Sequence, residues 1–508
     1  MRQNFDKAMF SRVTNLRGLR RRTLLCIFLS ASLALLGPQS RAQTDLANRV
    51  QLLTDALNRA QDQLGQTQRQ LEDLRRQIAD LREQLGSASE SAVASAEQQR
   101  LAAEVENLKE NQAVQASEIA THEQTKVESE SKYPLKVTGM VLLNGFVNTH
   151  QVDVPATPTL AVAGPGTTGA SVRQTVLGLD AVGPHVFGGR SHADIRADFY
   201  GSTNDSNMGA YDSAGLVRLR TAHAAVAWDS TEAWFSLDRP ILSANEPTSL
   251  TAVAVPPLSW SGNLWTWNPQ IGVTHDFGAD TAAHFRAQGA LIDVADPPYV
   301  ASASPAVYPA STAEQSRWPG VESRVAFGSQ ENAGFRIGAG GYFAPHRTIY
   351  GPHFDSWAGT LDYRQPLPGR LQLSGDFYRG AALGGLGGGA FKDYGIRADL
   401  DSPGAFYLRS FDAVGGWAQL KERASERLEF NAALGMDSVP AGELRSYSPV
   451  AATSYQYLNR TQTFTGNAIY SPSAWLLFSL EYRHLESSYI GTPAAASNII
   501  GVAAGYKF

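Results

Sequence analysis

From about residue 133 onward, apolar and polar positions alternate with a period of two. The stretch 190–201 (RSHADIRADFYG) shows this best. His192, Asp194, Arg196, Asp198 and Tyr200 share one parity, and Ala193, Ile195, Ala197 and Phe199 share the other. A strand points successive side chains to opposite faces, so this segment has one charged wall and one apolar wall. A soluble sandwich would bury the apolar wall. A membrane barrel would turn it to lipid and keep the charged wall in water. The alternation recurs. Leu371, Leu373, Gly375 and Phe377 oppose Gln372, Ser374, Asp376 and Tyr378, while Phe285, Ala287 and Leu291 oppose His284, Arg286 and Gln288.

The pattern predicts about sixteen strands: 136–148, 172–182, 190–201, 216–228, 232–238, 263–277, 283–293, 320–327, 335–343, 354–363, 371–379, 411–421, 428–437, 459–470, 475–485 and 498–508. Their connections alternate in length. The short ones are 183–189, 229–231, 278–282, 328–334, 364–370, 422–427 and 471–474. The long ones are 149–171, 202–215, 239–262, 294–319, 344–353, 380–410, 438–458 and 486–497. This is the arrangement of an outer-membrane barrel with short periplasmic turns, long external loops and both termini on the short-turn side. Aromatic residues near predicted strand ends (Trp228, Trp234, Trp267, Tyr342, Phe343, Tyr363 and Trp475) suit girdles at headgroup level.

The N-terminus has a different period. Residues 1–22 are basic, 23–37 (TLLCIFLSASLALLG) form an apolar run too short to span a bilayer, and Ser40-Arg41-Ala42 supplies small residues for cleavage. This reads as a secretory signal, 1–42, with Gln43 as the first mature residue. Segment 43–120 then carries Leu46, Val50, Leu53, Leu57, Ala60, Leu64, Thr67, Leu71, Leu74, Ile78, Leu81 and Leu85 in steps of four and three. Such a seam predicts a coiled coil, and forty residues of it would reach roughly 60 Å. Segment 121–132 is a polar linker, and 133–508 is the barrel. The fold class is therefore an all-β transmembrane barrel of about sixteen antiparallel strands, preceded by an α-helical coiled coil.

Composition narrows the functions available. The 508 residues include a single cysteine, Cys26, which lies in the signal. The mature chain then has neither a disulfide framework nor a thiolate metal site. Removing the eight Lys/Arg and one Asp of the signal leaves 35 basic against 47 acidic residues, or −12, so no basic field for nucleic acid exists. His346, His353 and Asp355 lack the spacing of a metal centre. The glycine run 384–389 is a loop outside any strand-to-helix nucleotide motif. No catalytic constellation stands out, and neither a cofactor nor an enzymatic role is expected.

The signal, the heptads 46–85, the strand KVTGMVLLNGF and the terminal YKF together resemble the DcaP-like trimeric outer-membrane porins, which carry a periplasmic coiled coil before a sixteen-stranded barrel. The resemblance implies a homo-oligomer, a trimer, passing small polar solutes across the Gram-negative outer membrane. It also implies contact with outer-membrane lipid and a coiled coil in the periplasm. The last strand, ending in Phe508, resembles the signal read by the barrel-assembly machinery. Candidate pore-lining charges are Asp194, Arg196, Asp198, Arg218, Arg220 and Arg286 on the wall, with Arg239 and Glu246 in the loop 239–262. Rings of charge tune permeation, and the same residues could simply brace the wall. The arginines lean the reading toward anions. The loop 239–262 carries four prolines and more apolar surface than an exposed loop suits, so it is expected to pack either at a subunit contact or inside the barrel. The resemblance to porins implies that it folds into the barrel and narrows it. Two other classes stay open. One is a barrel enzyme. The other is a structural tether that anchors the envelope through a coiled coil in contact with the cell wall.

The seam sets a direct test. A peptide of residues 43–90 is expected to sediment as an oligomer. Leu71→Asp with Ile78→Asp is expected to make it monomeric, because each change buries an unpaired charge. A monomeric parent peptide would remove the coiled-coil reading.

Overall fold

The computed structural model describes Arg76 and residues 134–508, apart from 202–214, 279–282, 297–309, 330–333, 349–350, 403 and 452–454. The expected signal, the linker and, except for Arg76, the heptad segment lie outside the described residues.

The wall runs in sequence order through β1 (Leu135–Val152), β2 (Ala161–Ser171), β3 (Val176–Val186), β4 (Gly189–Gly201), β5 (Leu216–Ala227) and β6 (Thr231–Asp238). It continues through β7 (Asn268–Phe277), β8 (Ala283–Ile292), β9 (Gly320–Ser329), β10 (Arg336–Arg347), β11 (His353–Leu367) and β12 (Leu371–Ala381). A short hairpin of β13 (Tyr394–Ala398) and β14 (Phe406–Ser410) interrupts it. The wall resumes with β15 (Asp412–Arg423) and β16 (Leu428–Ser438). After β17 (Ser448–Pro449) it ends with β18 (Leu458–Tyr470), β19 (Leu476–Tyr489) and β20 (Ala495–Lys507). Strands β13, β14 and β17 form a separate three-stranded sheet. Two one-turn helices, α1 (Thr312–Ser316) and α2 (Ala441–Ser446), sit in the connections after β8 and β16.

Neighbouring wall strands pair antiparallel, and β1 pairs with β20 from Met140↔Lys507 to Asn148↔Ile499, which closes the barrel. Strands β2 and β3 lie end to end. Both pair with β1, at Asn144↔Ser171 and Met140↔Val176, and the break at 172–175 shifts the register by one residue. They act as one bulged strand. Seventeen segments therefore make a sixteen-strand barrel among the described residues.

The barrel is inside out relative to a soluble protein. Leu143, Ile195, Phe235, Ile271, Val325, Leu361, Phe377, Phe464, Leu480 and Val502 are exposed. Asn144, Asp198, Thr274, Arg324, Asp362, Asp376, Gln419, Asn467 and Glu481 are buried on the opposite parity. Apolar groups out and polar groups in is the order a bilayer selects, and it settles the ambiguity of the 190–201 pattern.

Four expectations need correction. The external loop 149–171 is mostly strand: β1 runs on to Val152 and β2 begins at Ala161, so the connection shrinks to 153–160. Conversely, the strand expected from 263 starts only at Asn268. Of the seven aromatics assigned to girdles, Trp234 and Tyr342 are buried, and the Trp267 ring meets the inward guanidiniums of Arg218 and Arg220. Aromatic residues at strand ends serve the interior as well as the headgroups here, because loops fill that interior. His346 and His353 do not share a loop. They lie on β10 and β11, with His346 buried and His353 exposed.

The closing seam leaves no room for a side chain at Gly139. Its N–H donates to the Phe508 carbonyl (3.0 Å), and the Phe508 N–H donates back (3.1 Å). A Cβ on Gly139 would lie 2.6 Å from the Phe508 ring and 2.8 Å from the Val176 carbonyl oxygen. The ring can move, but the carbonyl belongs to the wall. Gly139→Val is therefore expected to lower the folded fraction after refolding in detergent, read as the heat-modifiable band on a gel. An unchanged fraction would show that the seam tolerates a side chain there.

Candidate functional site

The connection from β6 to β7, residues 239–267, turns into the barrel. Four of its apolar side chains, Leu242, Leu258, Trp260 and Leu264, are buried. One such burial contributes about 1.5–3 kcal/mol, roughly what ordering one or two backbone residues costs. Four anchors alone cannot hold so long a strap, so its polar groups have to find partners as well. Its prolines exclude a regular ladder, and inward side chains of the wall supply the bonds instead. The Gln174 side chain donates to the Thr251 carbonyl (3.0 Å) and accepts from the Val253 and Ala254 N–H groups (2.7 and 3.0 Å). Gln419 accepts from the Thr248 N–H (2.6 Å), and Asn144 donates to the Leu250 carbonyl (2.9 Å). Glu481 accepts from the hydroxyls of Ser249 (2.5 Å) and Thr251 (2.7 Å). Near its start, Asn245 donates to Asp376 (2.9 Å).

These partners sit on β1, β12, β15, β19 and the β2–β3 bulge, so the strap crosses the interior from the β6 wall. It then doubles back through positive φ at Leu258, Trp260 and Gly262. Gly262 is required there, because a Cβ would lie 2.1 Å from the Gly416 carbonyl oxygen.

The sequence-derived charges fall into three groups. Asp198 accepts from Arg218 in a two-point contact (Nε–Oδ1 3.1 Å, Nη2–Oδ2 2.6 Å), and Arg220 Nε lies 3.5 Å from the same carboxylate. Arg218 also donates to the Ala254 carbonyl of the strap (2.7 Å). Both guanidiniums lie over the Trp267 ring, at 5.0 and 5.3 Å. In the strap, Arg239 pairs with Glu246 (3.2 Å). The charges of Asp198, Glu246, Arg218 and Arg239 all act on Arg220, so these five residues form one electrostatic cluster. Arg196 belongs elsewhere, paired with Asp180 of β3 (2.5 Å) and close to Asp194 (3.5 Å). Arg286 is held by both oxygens of Asp276 (2.7 and 2.8 Å) on the neighbouring strand.

The sequence reading missed a second filler. Residues 382–393, which contain the glycine run, pack inside as well. Trp260 of the strap stacks on Phe391 (3.9 Å), and Phe391 stacks on Tyr455 (4.2 Å). Asp437 accepts from the Tyr378 hydroxyl (2.6 Å) and from the N–H groups of Gly389 (3.2 Å) and Ala390 (2.5 Å). Lys392 is fully buried and donates to the carbonyls of Ala390 (2.6 Å) and Leu458 (2.5 Å). Burial pushes its ammonium down to about 7 against the opposing pull of Asp437. Beside it, burial pushes the Asp393 carboxyl well up, and Asp296 adds to the rise. The glycines are the legible signal, since Gly387 and Gly388 leave room for Trp265 and Tyr378. Nothing in the sequence periodicity tells an inward loop from an outward one.

The geometry matches known outer-membrane proteins. The barrel is similar to the outer membrane channel DcaP of Acinetobacter baumannii, with a TM-score of 0.56 and 15% identity over 75% of this chain and 99% of that one. It also matches the anion-selective porin from Comamonas acidovorans, with a TM-score of 0.45 and 10% identity over 74% of this chain and 100% of that one. OmpF of Salmonella typhi, in complex with daunomycin, matches with a TM-score of 0.45 and 9% identity over 74% of this chain and 98% of that one. At such identities the likeness is one of fold. No protein-family model matches the chain, and no curated protein matches it in sequence.

Lys392 gives the packed loop a pH dependence. Its pKa is about 7 in the folded chain, against 10.5 for the free side chain. The unfolded state therefore binds more protons between these values, and stability rises with pH across that window. The urea midpoint of the barrel is expected to rise from pH 7 to about pH 10 by more in the wild type than in Lys392→Met. Equal slopes would show that Lys392 stays charged in its pocket.

Proposed function

We propose that the chain is an outer-membrane porin, a passive diffusion channel for small polar solutes with a preference for anions. The observation that carries this reading is the Arg218–Arg220–Asp198 group beside the inward strap. Two guanidiniums share one carboxylate, so the group holds surplus positive charge, while Arg239 and Glu246 pair with one another. A strap that narrows the barrel beside unbalanced arginines is the arrangement of a selective constriction. Arg196, Asp194 and Arg286 would line the remaining wall. In this reading the barrel sits in the Gram-negative outer membrane as a trimer. The heptad segment assembles in the periplasm, and Phe508 presents the assembly signal.

A second reading is favoured by the packing inside the barrel. One apolar cluster joins Leu242, Leu264, Ile292, Tyr342, Tyr378 and Leu386, and another joins Leu160, Trp260, Phe391, Phe411, Leu444 and Leu458. An interior so filled also suits a structural anchor that tethers the envelope through its N-terminal segment.

Planar-bilayer recording separates the two. Deleting Ser243–Val255 is expected to raise single-channel conductance while the barrel still assembles. Arg218→Gln with Arg220→Gln is expected to move the reversal potential toward cations. Unchanged conductance and selectivity in both variants would place the strap and the arginines outside the path.

A further inference from the structure

We propose that His192, His223 and Glu232 form a binding site for a divalent transition-metal ion of the zinc class on the inner wall. The site lies near the short-turn end of the barrel. This inference stands apart from permeation, since it concerns what the wall binds.

The strand register builds the cluster. His192 on β4 pairs with Ala225 on β5, and Ala225 pairs with Trp234 on β6. His223 is two residues from Ala225 in one direction along β5. Glu232 pairs with Ala227, two residues away in the other direction. All point inward, and alternate positions on neighbouring strands stay within reach of long side chains. Ala225 and Ala227 matter because they are small. They leave a shallow floor over which two imidazoles and a carboxylate converge.

The distances are compatible with a metal ion. One ligand atom from each of the three residues can be chosen so that all lie within 4.8 Å of one another. His192 Nε2 is 3.4 Å from Glu232 Oε1. Bonds of about 2.0–2.1 Å to a tetrahedral zinc ion place two ligands about 3.3–3.4 Å apart. One edge of the tetrahedron thus has its length, and His223, with a ligand atom within 4.8 Å of both others, would turn to complete the rest. Asp194 Oδ2 lies 3.9 Å from His223 Nδ1, where it can orient the ring or supply a fourth ligand. The other oxygen of Asp194, Oδ1, lies 3.5 Å from Arg196, which competes for the carboxylate.

The donor set selects the ion. Two imidazoles with one carboxylate suit zinc, copper or nickel. Magnesium and calcium take oxygen ligands and would find only Glu232 and Asp194. The site is open to entry, since the side chains of His192, His223 and Glu232 are 39%, 26% and 33% exposed. His223 and Glu232 also line a cavity of about 350 Å³ that reaches the turn 228–230 and the root of the strap at Arg239 and Ile241. A bound dication would add positive charge to this vestibule.

The ordinary alternative is that His192–Glu232 and His223–Asp194 are plain ion pairs of a solvated wall. Equilibrium dialysis of untagged, detergent-folded full-length protein against zinc chloride tests this. The wild type is expected to hold one zinc ion per chain more than His192→Gln with His223→Gln, and Glu232→Gln is expected to weaken binding at least tenfold. Cobalt(II) in place of zinc should give tetrahedral visible absorption in the wild type alone. Folding is checked by heat modifiability. If the double variant fails to fold, His192→Gln alone, a change on the water-facing wall, makes the same comparison. Equal zinc content in wild type and variants, or displacement of zinc by equimolar magnesium, would overturn the proposal.

Discussion

Lipid offers no hydrogen bonds, so each backbone N–H and C=O at membrane depth has to be satisfied by the protein itself. The pairing of β1 with β20 meets that demand where the chain ends would otherwise leave two open edges. Much else depends on it. Gly139 and Phe508 exchange backbone hydrogen bonds at the seam, which fixes the register of the last strand and turns Ile500, Val502 and Tyr506 outward. Each wall strand then inherits an inside and an outside, and the polar parity is committed to the interior.

A closed sixteen-strand barrel is too wide for its own side chains to fill, since about eight strands already match that limit. The interior is filled instead by connections that fold back. The strap 239–267 and the segment 382–393 meet at the Trp260–Phe391–Tyr455 stack. The polar wall makes this packing feasible, because Gln174, Gln419, Asn467 and Glu481 replace water as partners for loop backbone and hydroxyl groups. One alternation thus serves both lipid and loop. In the proposed reading, the charged residues the loops leave partly exposed, on β4, β5 and the strap, are those that meet a solute.

The staves of this architecture were legible because barrel strands are a local pattern. Leu371–Tyr378 and the terminal Ile500–Phe508 parity predict their faces residue by residue, and the structure keeps them. The apolar content of 239–262 called for cover, and the resemblance to porins, not the residues alone, placed that cover inside the barrel. What stayed hidden depends on contacts distant in sequence. The β2–β3 bulge is invisible because a one-residue shift in pairing leaves both halves alternating. That Trp234, Trp267 and Tyr342 serve the interior and not the headgroups follows from loops that occupy the lumen, which an aromatic's place near a strand end does not encode. The sharing of Asp198 by Arg218 and Arg220 needed the register of β4 against β5, including the slip between Arg196 and Ala197. The His192–His223–Glu232 cluster needed three strands in register, and its members are too far apart in sequence to read as a motif.

The central claim is that water and small anions cross the space left between the strap and the β4–β5 wall. Swelling of proteoliposomes tests this most directly. Liposomes carrying heat-modifiable wild-type protein are diluted into isotonic solutions of a small organic anion or of a cation of matched size. The account expects swelling in both, faster with the anion. No swelling in either solute, from protein shown to be folded, would contradict it.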